Sequence, residues 1–469
     1  MDTKLDNANT NQDLLAISSS SSPIATFYKG KSVLVTGATG FIGSVLIEKL
    51  LYTCTDIKAI YILIKPKKGK SSEERFDEYI ESSVFQRVRE SRPAAMKKLI
   101  PLAGDLRDEQ LGLTTEVIKM LQTELSVVFH SAAIVAFTMS IKEAVDVNVR
   151  TTHRVIDFCR GIQNLKAFIY VSTAYSNCNN RLIEEKVYKT DNPWESFYYL
   201  ADNINFEYFR RDMLGGRPNT YTSAKAMAEI LVEHETKEMP AAIVRPSVVI
   251  SSNKEPVEGW LNNSWNGSNG TIAAIGKGVL RCWNGDPDCV ADLIPVDTVT
   301  NLVIAAAWDT SNRWNEGEKE IKVFNCCSGV QNPITVGKFM WTCLYYTRKH
   351  AFGTLYTPTL IITNNRNIFS ICWFFLQIVP AYVIDVVLLL LRRKRSMVKT
   401  LKKITFMSDV LKYFTCNQFI FTDYNVKTLY DKLDRNDKIL FDFDIKKINW
   451  DELFKNYVLG IKKYLLKEI

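Results

Sequence analysis

The stretch YTSAKAMAEI sets Tyr221 and Lys225 four residues apart, so a phenol and an ammonium share one face of a helix, one turn from each other. A phenol ordinarily holds its proton to a pKa of about 10, and a neighbouring positive charge moves that value toward the working range. The same spacing also describes an ordinary amphipathic helix with a snorkelling lysine, so what lies upstream decides its meaning. Upstream stands STAY, with Ser172 and Thr173 closing the apolar run AFIYV. A hydroxyl at a strand end can bond a developing oxyanion. Together these residues make an acid–base set for carbonyl reduction, with Tyr221 giving its proton to the carbonyl oxygen while hydride arrives at carbon.

The hydride needs a carrier, and TGATGFIG supplies the place for one. Gly37 permits a tight turn, Gly40 lets backbone approach a pyrophosphate, and Gly43 lets a helix pack close to the strand before it. The helix N-terminus adds N–H groups and a partial positive charge for the phosphates. Thr36, Gly37, Thr39, Gly40, Phe41, Ile42 and Gly43 are therefore candidate dinucleotide contacts, although the spacing is GxxGxxG rather than GxGxxG. NAD sites usually carry a carboxylate at the end of the second strand, for the ribose 2′-hydroxyl. Here AIYILIK ends in Lys65, followed by Pro66, Lys67 and Lys68. Lysines attract a 2′-phosphate, which favours NADPH, with a solvated basic loop as the alternative. GDL places Asp105 and Leu106 near the adenine, and HSAA places Ser131 and Ala132 where small residues leave room beneath a cofactor. His130 either lines that site or is a buried structural histidine. Arg245 and Pro246 end a later strand, shaping a loop or contacting cofactor or substrate.

These pieces must be held by alternating strands and helices. Apolar runs at 32–36, 59–65, 126–133, 167–175 and 241–250 are separated by helical lengths. That alternation predicts an α/β fold, a Rossmann-like doubly wound parallel sheet, over residues 29–335, with the substrate region at about 180–330. Residues 1–28 are polar and Ser/Asn-rich at the start, without an apolar signal core, and read as a disordered leader. Residues 336–469 read as a mainly helical C-terminal domain containing the apolar segment 367–391.

The net charge of +8 is located, not spread: from Arg392 onward 18 Lys and Arg face 10 Asp and Glu, leaving the preceding residues formally neutral. This argues against a nucleic-acid partner and for a basic C-terminal surface facing anionic lipid or phosphate. Ten cysteines form no CxxC pair and four histidines are scattered singly, so no metal site is expected and reduced thiols in a cytosol-facing protein fit best.

TGATGFIG, the STAY strand end and YTSAK together resemble an extended short-chain dehydrogenase/reductase. YILIKPKKGK, GDL, VFHSAAIVAF, NVRTT, YVSTAYSNC, RPSVVISSNKEPVEGW and LIPVDTVTN, in that order over most of residues 31–330, are similar to the alcohol-forming fatty acyl-CoA reductases. The tail resembles that family's C-terminal domain less specifically. The resemblance implies that a long-chain fatty acyl-CoA is reduced by two NADPH to a primary alcohol and CoA. A thiohemiacetal and an aldehyde lie on the way, with Tyr221, Lys225, Thr173 and Ser172 catalytic. Lys65 departs from the arginine frequent in the family, which keeps charge but loses planar bidentate recognition of phosphate. A hydroxysteroid dehydrogenase, another extended reductase or a non-catalytic NADP-binding scaffold would share the glycine turn and YxxxK. Oligomeric state is left open, a homodimer included.

The segment 367–391 is long enough to span a bilayer core of about 30 Å, yet it contains Gln377, Pro380 and Asp385, each unfavourable at mid-membrane. A buried helical pair is the competing reading. A catalytic domain using cytosolic NADPH and the RRKR at 392–395 both belong on the cytosolic side. A hairpin or shallow insertion turning near Pro380 satisfies both, giving attachment to membrane lipid of the endoplasmic reticulum with substrate entering from the bilayer. The sequons NNS, NGS and NGT at 262–264, 266–268 and 269–271 are expected to carry no glycan.

Overall fold

The structure, a computed structural model, describes residues 22–67, 69–189, 194–203, 214–265, 267–353 and 357–468. Seven strands form its main sheet: β1 (Ser32–Thr36), β2 (Ala59–Ile64), β3 (Leu99–Ala103), β4 (Leu125–His130), β5 (Ala167–Val171), β6 (Ala241–Pro246) and β7 (Lys322–Cys326). All pair in parallel, in the order β7-β6-β5-β4-β1-β2-β3. The central runs SVLVT and AFIYV are buried throughout, as a parallel sheet covered by helices requires. The order reverses between β1 and β4, which opens the crevice at their C-terminal ends where a doubly wound sheet binds ligand. Four helices matter to that crevice: α1 (Phe41–Thr53), α2 (Thr151–Arg160), α3 (Thr220–Glu235) and α4 (Val296–Asn315).

β3 and β7 lie outside the strands expected from periodicity. Each is an edge strand. LIPLA contains Pro101, which an edge tolerates because one side of the ladder is unpaired. The expected run 241–250 divides at Ser247: Val248–Ile250 leaves the main sheet and pairs with Leu293–Pro295.

The chain forms two compact units that are not contiguous in sequence. The first comprises residues up to Ser247, Val296–Cys327 and Phe421–Asp444; the second comprises Val248–Pro295, Ser328–Ile420 and the residues from Ile445 onward. The linear boundary at 335/336 therefore does not separate them. In the first unit, Phe421–Asp444 covers the open side of β7, where Asn325 Nδ2 donates to Thr422 O at 2.8 Å and Asn425 Nδ2 to Val323 O at 2.8 Å. In the second, α5 (Val336–Lys349) packs on α8 (Trp450–Gly460) through Phe339 and Phe454, ring centroids 5.0 Å apart. Between them in sequence come α6 (Arg366–Leu390) and α7 (Met397–Thr415).

Two expectations are corrected. The leader does not extend to residue 28: Pro23–Tyr28 is a helix capped by Ser22, with Ile24 and Tyr28 fully buried. Ile24, Ala25 and Tyr28 of PIATFY give this short segment enough to bury; residues 1–21 lie outside the described residues. Nor does the chain turn near Pro380. A π-turn at Phe374–Ile378 absorbs the backbone donor that proline lacks, and α6 continues to Leu390.

Tyr28 donates to Ile304 O at 2.9 Å, tying the N-terminal helix to α4. Tyr28→Ala removes that bond and a buried ring, and should cost about 3 kcal/mol in chemical denaturation. An unchanged midpoint and slope would mean that the N-terminal helix does not belong to the folded core.

Candidate active site

The glycine turn is built around close approaches. Gly37 has φ +71°, and a Cβ there would meet Ala132 N at 2.7 Å; a Cβ on Gly43 would meet Gly37 O at 2.3 Å. The turn is further pinned by Ser44 Oγ, which donates to Gly40 O at 2.7 Å, and by Tyr79 Oη, which donates to Ala38 O at 2.7 Å. Ser131 N and Oγ both donate to Thr36 O, at 3.3 and 3.1 Å. Thr36, Gly37, Ser131 and Ala132 thus form one tight corner between β1 and β4. Gly40 caps α1 with no side chain, while Thr39 and Gly40 are exposed and Phe41 and Ile42 half-buried at its mouth. A first helical turn left uncapped beside glycine backbone is a cradle for phosphate, and a Cβ at Gly37 or Gly43 would destroy its shape. The residues fit a dinucleotide.

At the end of β2 the structure assembles charge. Lys65 Nζ stands 3.4 Å from Asp105 Oδ2, and Arg107 Nη2 donates to that oxygen at 2.8 Å. Arg75 donates to Lys65 O. Hydrogen bonds from Arg107, helped by Lys65, hold the Asp105 carboxyl down at about 2. Lys65 and Arg107 thus both act on the Asp105 carboxylate, and Arg75 joins the same corner through the Lys65 carbonyl. Arg75 and Arg107 escaped the sequence reading, although GDLRD carries Arg107 two residues from Asp105. Leu106 packs, half-buried, on the core of the first unit. Lys68 lies outside the described residues.

The buried Tyr–Lys face is longer than the YxxxK pattern suggested. Asn219 caps α3, its Oδ1 accepting from Thr222 N at 2.9 Å. Tyr221, Lys225 and Glu229 then follow at four-residue intervals, all at most 9% exposed. The helix packs against the turn Ala174–Asn177 that follows Thr173. Lys225 Nζ donates to Val171 O at 2.8 Å and lies 4.2 Å from the centre of the Tyr170 ring. Burial lowers its pKa to about 7 while the Glu229 charge pulls it back upward. The Tyr221 ring stands edge-on to Phe137, and burial pushes the phenol well above its ordinary value. This differs from the expectation that Lys225 lowers it: the ammonium is directed at a strand carbonyl and an aromatic face, and desolvation dominates at the phenol. Tyr221 is accordingly held protonated, the form a proton donor must have.

Ser172 and Thr173 have separate surroundings. Ser172 Oγ donates to Glu229 Oε1. Arg245 Nε and Nη2 donate to the two oxygens of the same carboxylate at 2.9 and 2.7 Å, and Asn177 Nδ2 adds a longer contact at 3.4 Å. The other Arg245 bonds go to Glu184 O and Lys186 O, at 3.0 and 2.8 Å. Arg245 is therefore structural, joining β6 to α3 and to the loop at 184–186. Thr173 Oγ1 accepts from Tyr175 N at 3.3 Å, which leaves its proton to give. Glu229 was missed, although YxxxKxxxE in the sequence continues the helical face. His130 is wholly buried between Thr36 Oγ1 at 2.7 Å and Thr152 Oγ1 at 3.0 Å, its pKa lowered to about 3 by burial. It is a neutral core histidine. Among the described residues no cluster of three His, Cys, Asp or Glu is arranged to hold a metal.

Comparison with known proteins speaks to the same residues. Two family models, both described as male sterility protein, match residues 35–303 and 376–468; the first is a dinucleotide-binding model. Fatty acyl-CoA reductase 1 of Gallus gallus is 36% identical over 451 residues, 95% of this chain and 86% of the relative. Fatty acyl-CoA reductase 2 of Bos taurus is 38% identical over 453 residues, 95% and 87% of the two chains. The chain belongs to the fatty acyl-CoA reductase family. It is an oxidoreductase with a nicotinamide dinucleotide as cofactor. Among solved structures, the reductase domain of a nonribosomal peptide synthetase from Mycobacterium tuberculosis superposes with TM-score 0.62 at 16% identity, covering 96% of this chain and 98% of that one. UDP-glucuronic acid 4-epimerase from Bacillus cereus, solved with NAD, gives 0.52 at 15%, covering 92% and 97%. At such identities these two share the fold alone.

Arg245→Met leaves the Glu229 charge buried beside Ser172 without its partner, and should cost about 3–5 kcal/mol in denaturant unfolding. Adding Glu229→Gln to that variant should recover part of the loss. Additive losses in the double variant would mean that the two groups are not coupled.

Proposed function

We propose that this protein reduces long-chain fatty acyl-CoA to the primary alcohol with NADPH, releasing CoA. The observation that carries the reading is the Tyr221–Lys225–Glu229 face of α3, buried against the end of β5, in a chain of this family. When bound, one NADPH would supply hydride to the thioester carbon and, after its oxidised form leaves, a second would supply hydride to the aldehyde carbon. At each addition Tyr221 gives its proton to the carbonyl oxygen, and Thr173 donates a hydrogen bond to the same atom. After the first addition the thiohemiacetal loses CoA: the carbon–sulfur bond breaks, the thiolate takes a proton, and an aldehyde remains for the second round. Lys225 supplies the cation that offsets the charge left on the Tyr221 oxygen. Ser172, given over to Glu229, holds the strand end in place, and Thr173 carries the oxyanion contact.

The preference for NADPH follows from Lys65 and Arg107 at Asp105, with Arg75 bonded to the Lys65 carbonyl, a corner suited to a 2′-phosphate, where a guanidinium restores the planar recognition that Lys65 lacks. The catalytic unit faces the cytosol on the membrane of the endoplasmic reticulum, and α6 provides the attachment. The buried Asn269 changes one test of that topology. Its Oδ1 accepts from Tyr457 Oη at 2.7 Å. The sequon at 269–271 would stay unmodified in either compartment, so among the described sequon asparagines Asn262 is the informative one.

Membranes carrying the protein, incubated with NADPH and palmitoyl-CoA, should yield hexadecanol, and Tyr221→Phe should lower the rate by about 100-fold or more. Full turnover by Tyr221→Phe would remove it as the acid. Absence of alcohol across an acyl-CoA panel, with turnover of a sterol or a sugar nucleotide, would point to another reductase. Lys65→Ala with Arg107→Ala should raise KM for NADPH at least tenfold and leave that for NADH nearly unchanged; equal effects on both would dissociate these cations from the 2′-phosphate.

A further inference from the structure

The second unit carries a helical hairpin whose chemistry faces the wrong way for water. Its feet stand together. Ile361–Thr363, just before α6, pairs with Cys282–Asn284, and Thr415 at the end of α7 donates through Oγ1 to Asn284 O at 3.1 Å. Between these feet α6 runs outward for 25 residues, with only 17% of its most apolar stretch buried. The side chains turned inward are the polar ones and the alanine between them: Gln377, Ala381 and Asp385, at successive helical turns, are each at most 8% exposed. Those turned outward are apolar, including Ile371, Phe375, Tyr382, Val386 and Leu390, all more than half exposed. A water-soluble helix has the reverse arrangement.

Asp385 explains why the hairpin holds. Ser396 gives α7 no side-chain cap of its own. Asp385 Oδ1 accepts from Ser396 N and Met397 N at 3.0 and 2.9 Å, and Oδ2 from Val398 N at 3.0 Å. One helix thus caps the next, folding the chain back immediately after RRKR. Residues 391–396 are all exposed. From Arg392 to Lys403 the chain carries seven Lys and Arg, and there is no Asp or Glu between Asp385 and Asp409. Lys399, Lys402 and Lys403 are exposed beside Phe406, which is 54% exposed.

We propose that this hairpin is a membrane-docking element lying in the plane of one leaflet. The outward face of α6 enters the acyl boundary, and Arg392–Arg395 with Lys399, Lys402 and Lys403 engage the phosphates of anionic phospholipid. The proposal rests on the membrane attachment inferred above and specifies its geometry and its lipid. A helix crossing the bilayer would carry Gln377 and Asp385 into hydrocarbon and strip three N–H groups of their acceptor, where no water replaces it. An in-plane helix keeps both on the protein side, and its polar end meets headgroups whose charge complements the turn.

The test is flotation of the full-length protein with vesicles of phosphatidylcholine alone, or mixed with phosphatidylserine. Binding should be at least tenfold tighter to the mixed vesicles and should weaken as salt rises. The variant with Arg392→Ser, Arg393→Ser, Lys394→Ser and Arg395→Ser should lose that preference. Ile371→Glu with Val386→Glu should reduce binding to both vesicle types, with the circular-dichroism melt checking that it folds. Equal binding to the two vesicle types would overturn the role of the basic turn while leaving membrane attachment intact. Binding to neither would sink the attachment itself. In sealed microsomes, trypsin added outside should remove a C-terminal epitope tag, whereas protection of the tag would overturn the in-plane geometry.

Discussion

A carboxylate and a guanidinium are buried together where β5 and β6 end, and the geometry of the site depends on that pair. Glu229 and Arg245 are at most 1% exposed and share two hydrogen bonds. Removing two charges from water is costly, and mutual attraction offsets it only when the remaining bonding positions are filled. Here Ser172 takes one of them, and the Glu184 and Lys186 carbonyls take the outer Arg245 donors. The pair therefore fixes α3 against β5 and β6 together. Because Tyr221 and Lys225 lie two and one turns before Glu229 on α3, their positions at the end of β5, where Lys225 donates to Val171 O, follow from it.

The same burial sets the proton affinities. Stripping water from α3 keeps the Tyr221 phenol protonated and lowers Lys225 to about 7, and the neighbouring Glu229 keeps that ammonium from falling further. The facing groups are His130, neutral between its two threonines, and Arg245, already committed to Glu229. One helical face thus carries a donor, a cation near its titration point, and the carboxylate that tunes it. The glycine turn contributes by subtraction: Gly37, Gly40 and Gly43 are where β1, β4 and α1 approach too closely for a side chain or where one would block an anion.

Much of this was legible in the order of the residues. The glycine turn, five of the seven strands, the STAY strand end and YxxxK each have a local signature, because each is a backbone or helix-periodicity requirement met within a few residues. The edge strands β3 and β7 escaped because LIPLA is interrupted by Pro101, and KVFNC, though buried at four of its five positions, carries the polar Asn325. Glu229 escaped because a lone glutamate on a helix usually faces solvent; only its partner Arg245, distant in sequence, makes it a buried charge. Arg107 sits beside Asp105 in GDLRD, but it is the crossover from β2 to β3 that brings Asp105 to Lys65, which no local pattern records. The turn of the apolar hairpin escaped for another reason. Pro380 is a stronger local signal than Asp385, but a π-turn accommodates the proline, whereas the cap that Asp385 provides depends on where α7 begins.

The central claim is that Glu229 holds Lys225 in its working charge state on the buried face of α3. It is tested most directly by the pH dependence of kcat/KM for acyl-CoA reduction, in the wild-type protein and in Glu229→Gln of matched fold by circular dichroism. Lys225 acts as a cation with its pKa lowered to about 7, so activity should fall as pH rises through that value. Loss of the Glu229 charge lowers the ammonium further, so the falling limb should move to lower pH. Superimposable limbs in the two proteins would contradict the account.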